Sequence, residues 1–269
     1  MAEVISSAAN PLVKRIRLLA GRKHRRREGA YVVQGIQPVW QAVEAGAPLE
    51  VLIVAPDLLR HPGARAMVAA QEAAGTQVAR LSAELFGRIA DRDGPSGLAA
   101  IVAEVPLALG DLAVGAGALF AAVHAAGNPG NVGTIIRTAS AVGCSGVILI
   151  GPSADPHDPV AVKASMGALF TVPVVAVPAA GEFLGWARAA GIRVAATSAR
   201  GSVGVWEADL ATPLAVLLGS EGTGLPAELL EAADLRVAIP MTGTAESLNL
   251  AVAAGVLLYE VRRRTGLPG

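Results

Sequence analysis

Six short runs in the second half of the chain, at 118–123, 146–150, 172–177, 192–196, 214–218 and 235–239, are apolar along almost their whole length. A strand with one face in water alternates apolar and polar residues, so runs without alternation predict strands covered on both faces. Helical spacing fills most of the intervals, and the pattern predicts a parallel α/β sheet. Ligands bind such sheets beyond the carboxyl ends of the strands, which directs attention to the loops after residues 123, 218 and 239.

The first half repeats the theme on a smaller scale. Apolar runs at 31–33, 49–54, 77–81 and 98–102 alternate with helical patterns at 36–44, 64–74 and 83–89, predicting a small α/β unit. The segment 91–97 is polar and turn-rich and reads as an exposed loop. Pro106 and three glycines within 105–117 mark a linker, and the expected domains are 1–107 and 108–269. A hydrophobic fraction of 53% against 16% charged residues fits two packed cores and argues against disorder. The absence of a long apolar run predicts a soluble, cytoplasmic protein without a membrane span.

The formal net charge of zero conceals an uneven distribution. Residues 1–30 carry eight Lys and Arg against Glu3 and Glu28, a net of +6, leaving −6 on the remainder. Asn10-Pro11 followed by Leu12, Ile16 and Leu19 reads as a capped helix. Lys14, Arg15 and Arg17 lie on its other face, and Arg22, Lys23, Arg25, Arg26 and Arg27 follow directly. Such a density of cations suits phosphate contact with RNA or DNA; a solvated tail is the competing reading. Lys14, Arg17, Arg22, Lys23, Arg25, Arg26 and Arg27 are the expected RNA-binding residues.

Cys144, the single cysteine, lies in an apolar helix-to-strand junction and reads as a buried structural thiol. The four histidines show no metal-ligand spacing, so no metal is expected. Gly115-x-Gly117 precedes its strand and lacks a third glycine, and no phosphate-loop or nucleophile-elbow motif occurs.

Three loops carry the polar chemistry. Gly127-Asn-Pro-Gly-Asn-Val-Gly-Thr-Ile-Ile-Arg137 joins a strand to a helix with a tight glycine-rich turn, Asn131 and a fixed positive charge on Arg137. Leu218-Gly219-Ser220-Glu221-Gly222 closes a strand with a carboxylate in a glycine turn. Ile239-Pro240-Met241 with Ser247-Leu248-Asn249 closes the next strand and opens the last helix.

In that order and spacing, the three loops resemble the motifs of the SpoU (TrmH-type) RNA ribose 2′-O-methyltransferases of the SPOUT superfamily. The resemblance covers about residues 108–263, with Ser165-Met166-Gly167-Ala168 and Pro173 also fitting. Residues 10–104 are similar to the RNA-binding domain that many members carry in front. Asn128 departs from the Asp common before the proline; a turn role survives the isosteric exchange, whereas a role requiring charge does not.

The resemblance implies a deep trefoil knot near the C-terminus, an obligate homodimer and S-adenosylmethionine as methyl donor. It assigns catalysis to Asn131, Arg137, Glu221, Ser247 and Asn249, and donor binding to Leu218, Gly219, Ile239, Met241 and Leu248, with Thr197 and Ser198 as further candidates. Arg137 would grip a phosphate and stabilise the developing alkoxide, because a guanidinium is a poor proton acceptor. Glu221 would pair with Arg137, and Asn131 and Asn249 would orient Arg137 or the ribose. Ser247 would sit near the donor or cap the last helix; the apolar donor-binding residues could equally be core. The expected reaction is ribose 2′-O-methylation of RNA, 23S-type ribosomal RNA first, as a housekeeping or antibiotic-resistance modification. The alternatives are a tRNA methyltransferase and a non-catalytic RNA-binding protein.

Overall fold

The structure, a computed structural model, describes residues 4–90, 94–198 and 203–266. Asp91, Arg92 and Asp93 of the expected exposed loop lie outside the described residues. Two compact units form: residues up to Val105 together with His157–Thr171, and Pro106–Pro156 together with Val172 onward. The second unit thus begins close to the expected boundary, but the segment His157–Thr171, expected in the second domain, belongs to the first.

In the first unit the elements are β1 (Val4–Ile5), α1 (Pro11–Leu19), α2 (Arg22–Glu28), β2 (Ala30–Gln34), α3 (Ile36–Glu44), β3 (Leu49–Val54), α4 (Pro62–Ala73), β4 (Val78–Leu81), α5 (Ala83–Gly87) and β5 (Leu98–Ala103). Five strands form one sheet in the order β1-β4-β3-β5-β2. The β1, β4 and β3 strands run parallel, whereas β5 is antiparallel to both of its neighbours. Period-two alternation sends Val32, Ile53 and Ile101 into a core with Val13, Ile16 and Leu19 of α1. Val33, Leu52 and Ala100 point the other way, packing with Val39 of α3 and Val68 of α4. The expected Asn10 cap is present: its Oδ1 accepts the Leu12 amide at 2.9 Å.

The second unit starts with β6 (Leu119–His124), α6 (Pro129–Ala141) and β7 (Gly146–Ile150). The chain then supplies α7 (Pro159–Ser165) to the first unit. It continues through β8 (Val174–Val177), α8 (Ala180–Ala189), β9 (Arg193–Thr197), β10 (Val203–Gly204), β11 (Leu214–Leu218), α9 (Ala227–Ala232), β12 (Leu235–Ala238) and α10 (Leu250–Thr265). Seven strands align in the order β10-β12-β9-β11-β6-β7-β8, every pair parallel. The six apolar runs are all strands of this sheet, and β10 is an addition that no apolar run announced.

Phe120, Ala122, Ile148 and Leu217 pack with Phe183 and Ala187 of α8 and Leu229 of α9. The alternate residues Leu119, Ala121, Leu214 and Val216 are buried on the opposite face, against which α6 and α10 lie. Both faces are therefore covered, the condition the apolar runs impose. Arg262 of α10 is buried and donates to three carbonyls, those of Val142 at 2.8 Å, Gly117 at 3.2 Å and Gly143 at 2.5 Å. That triple contact ties the last helix to both the turn before β7 and the entry to β6. Cys144 is buried as expected, and burial pushes its thiol up to about 12. Among the described residues no helix is long and apolar enough to cross a membrane.

Candidate active site

The adjacent strands β6 and β11 both end in glycine-rich loops, and β12 ends in the loop that leads to α10. In the first loop Asn128 N-caps α6. Its Oδ1 accepts the amides of Gly130 at 2.8 Å and Asn131 at 3.4 Å, and Pro129 takes the first helical position, where no amide is needed. An uncharged acceptor is sufficient for this role, so the exchange of Asp for Asn leaves the turn intact.

In the second loop the chain doubles back at Gly219. A Cβ there would lie 2.2 Å from the carbonyl carbon of Gly224 and 2.4 Å from the Leu225 nitrogen, so only glycine permits the approach. Gly224 itself has φ +67° and donates its amide to the Ser220 carbonyl. The turn projects Glu221 outward, exposed.

In the third loop Asn249 N-caps α10, its Oδ1 accepting the amides of Ala251 and Val252. Ser247 is exposed and is not the cap, which removes one of its two expected roles. Among the described residues, no main-chain group of 240–248 is hydrogen-bonded within the chain.

The three loops meet in one chain of side chains. Asn131 Nδ2 donates to Glu221 Oε1, and Asn249 Nδ2 donates to Asn131 Oδ1 at 3.1 Å. Chemistry fixes the direction: an ionised carboxylate only accepts, so the Asn131 amino group must face Glu221, leaving its oxygen for Asn249. Three of the five expected catalytic residues thus form one polar network.

Arg137 stands apart from it. Six residues after Asn131, it lies about 9 Å along α6 and roughly a third of a turn away around its axis. It is exposed, and among the described residues it makes no hydrogen bond or ion pair. The expected Glu221–Arg137 pair is therefore absent; Asn131 takes the carboxylate because it sits on the first turn of α6, facing the Gly219 loop.

The expected donor-binding residues divide by burial. Leu218 is 1% exposed and its side chain belongs to the core, so only its main chain faces the loop. Ile239 is half-buried, whereas Met241 and Leu248 are 40% and 38% exposed. Thr197 closes β9, and the Ser198 amide is held by the Val237 carbonyl.

The basic run is an ordered helix, α2, and not a tail. Lys14, Arg17, Arg22, Lys23, Arg26 and Arg27 are exposed, Arg27 pairing with Glu28. Arg25 is a correction. It is 2% exposed, and its guanidinium donates to the carbonyls of Leu19 at 3.1 Å and Ala20 at 2.7 Å and faces Asp158 at 3.4 Å. It cannot reach a phosphate without unfolding its surroundings. Nothing in an all-polar heptapeptide showed which of its cations would turn inward.

Compared with known families, residues 118–259 match the SpoU rRNA methylase family. The chain belongs to that family. Residues 10–100 also match the MRM3-like substrate-binding domain. The chain is similar to the 23S rRNA (uridine(2479)-2′-O)-methyltransferase of Streptomyces viridochromogenes, 34% identical over 92% of this chain and 87% of that one. It is also similar to the 23S rRNA (guanosine(2553)-2′-O)-methyltransferase of Bacillus subtilis, 30% identical over 96% and 98%. An AdoMet-bound rRNA methyltransferase from Sinorhizobium meliloti superposes with TM-score 0.89 at 35% identity, covering 97% of this chain and 98% of that one.

The residues of this SpoU chain fit an adenosyl donor. The carbonyls of 240–248 and amides of 241–248, without hydrogen bonds among the described residues, offer donors and acceptors for a heterocycle edge, and the exposed Met241 and Leu248 offer apolar cover for its faces.

Proposed function

We propose that the protein methylates a ribose 2′-hydroxyl of 23S ribosomal RNA with S-adenosylmethionine as donor. The observation that carries the reading is the Glu221–Asn131–Asn249 network, which joins the three motif loops of a SpoU chain at the carboxyl ends of its strands. Both named relatives act on 23S ribose hydroxyls but on different bases, uridine and guanosine. That contrast favours a reaction centred on the sugar.

S-adenosylmethionine, when bound, supplies an electrophilic methyl group on a sulfonium. The chain's own residues then have to hold a hydroxyl in line and help it lose its proton. Leu218, Gly219, Ile239, Met241 and Leu248 would hold the donor, with Thr197 and Ser198 at the edge of that site. Asn131, Asn249 and Glu221 would keep the loops in register and orient the ribose. Arg137, a guanidinium without a partner among the described residues, would grip the phosphate beside the target and stabilise the oxyanion. Ser247 would lie beside the donor.

The working form would be a homodimer in the cytoplasm, with a C-terminal trefoil knot. Val252, Val256 and Tyr259 support the dimer: they recur at helical spacing on one face of α10 and are 52%, 37% and 54% exposed. The strand order supports the knot, since β11 lies between β9 and β6 and α10 returns to pack on α6.

The test is transfer of labelled methyl to 23S rRNA and tRNA in parallel, followed by alkaline hydrolysis. Label in an alkali-resistant dinucleotide from 23S rRNA is expected, because a methylated 2′-oxygen cannot attack its neighbouring phosphate. Arg137→Ala is expected to abolish transfer while donor binding survives. Label in alkali-labile mononucleotides would refute ribose chemistry, and label confined to tRNA would refute the substrate.

A further inference from the structure

The first unit contains a cleft of about 220 Å³ whose walls come from α1, β2, the residues after α5, and α7. That volume gives room for one heterocyclic base. Val32, Ile89 and Val162 are among its apolar lining residues. The lining carries three cations, Arg17, Arg88 and Lys163, and no carboxylate. Arg88 is partly neutralised by Glu84 at 2.6 Å and Lys163 has an interaction of its own, whereas Arg17 is exposed and, among the described residues, its guanidinium has no partner.

An apolar slot rimmed by guanidinium and ammonium groups is complementary to a nucleotide: the base enters the slot, an arginine plane stacks on it, and the phosphates stay at the rim. The exposed Lys14, Arg22, Lys23 and Arg26 extend positive charge along α1 and α2 beyond the cleft. A site for a free mononucleotide has no use for that extension, whereas a polynucleotide strand would follow it.

We propose that this cleft receives one unpaired nucleotide of the RNA substrate, with its base against the apolar lining residues Val32, Ile89 and Val162 and its flanking phosphates on Arg17 and Lys163. The proposal rests on the ribosomal-RNA reading above but concerns capture of the strand, and it requires no methyl transfer.

The experiment is filter binding of in vitro transcribed 23S rRNA to the full chain across a range of KCl concentrations, with thermal melts confirming that each variant is folded. Arg17→Gln combined with Lys163→Gln should weaken binding and make the log–log salt slope shallower by about 1.4, two single-strand phosphate contacts. Ala20→Phe, at an exposed position on the cleft wall, should exclude the base without touching charge. It should weaken binding about 5- to 150-fold, the worth of one stacked base, at an unchanged slope. Arg60→Gln, an exposed cation outside the cleft, should bind like the parent. Parental affinity in Ala20→Phe would overturn the proposal even if the charge variants weaken, because the rim would then be basic surface and nothing more. Uridine 5′-monophosphate competing as strongly as RNA would make this a small-molecule site and overturn it as well. If the parent failed to bind 23S rRNA, the substrate reading would fall together with the cleft.

Discussion

Replacing Arg25 with methionine keeps the side-chain volume and removes the guanidinium. α1 ends at Leu19, and among the described residues no main-chain amide takes the carbonyl of Leu19 or Ala20; Arg25 serves both. The arginine therefore acts as the C-terminal cap of the preceding helix. A hydrogen bond from a charged donor is worth about 1.5–3 kcal/mol. The Leu19 bond is buried and counts in full. The Ala20 carbonyl can rehydrate, and Asp158 is 30% exposed, so both are discounted for solvent. The sum is about 3 kcal/mol, at the lower end of the range for orphaning a buried ion partner. With m near about 2 kcal/mol/M, the urea midpoint should fall by roughly 1–2 M at unchanged slope. Trp40 lies on α3 in the first unit, so a Trp186→Phe/Trp206→Phe background makes fluorescence report that unit. The exposed Arg26→Met should leave the midpoint where it was. A loss under about 1 kcal/mol for Arg25→Met would refute the capping account. Weakened RNA binding at full stability would return Arg25 to the basic surface.

Gly219→Ala should abolish donor binding in calorimetry while the far-ultraviolet spectrum stays native, because a Cβ 2.2 Å from Gly224 forces the loop open. Glu260, held by Arg263 and Arg264, has its carboxyl pushed from 4.5 down to about 2. A depressed carboxylate contributes stability above its unfolded value of 4.5 that is lost as pH falls towards 2, so Glu260→Gln should flatten the acid limb of a stability–pH curve over that window. Cys144 should resist iodoacetamide at pH 8 in the folded chain and react fully in urea, since its thiol is buried and titrates at about 12.

Where the sequence was legible, the reason is local. Strands covered on both faces must be apolar throughout, and the six runs could be nothing else for long. The Asn10 and Asn128 turns were legible because caps are written in two or three consecutive residues. What could not be read depends on tertiary partners. Asn131 and Glu221 are 90 residues apart, and whether the carboxylate would meet an amide or Arg137 turned on the rotation of α6. Arg25 is chemically the same as Arg26 in the sequence; only the end of α1 and Asp158, which its guanidinium meets in the fold, make one of them core. β10 is two residues long and carries no pattern at all.

The allocation of His157–Thr171 to the first unit bears on how the chain is made. A nascent polypeptide that has emerged only to Val105 possesses all five strands of the first sheet. It lacks Asp158, the carboxylate facing buried Arg25, and Val162, which belongs to the core of Val33, Val39 and Leu52. Domains are generally completed in order as they leave the ribosome. Here the leading unit has to wait, unfinished, while β6, α6 and β7 of the trailing one are synthesised. The same interleaving means that a fragment cut at residue 107 is not this unit in isolation.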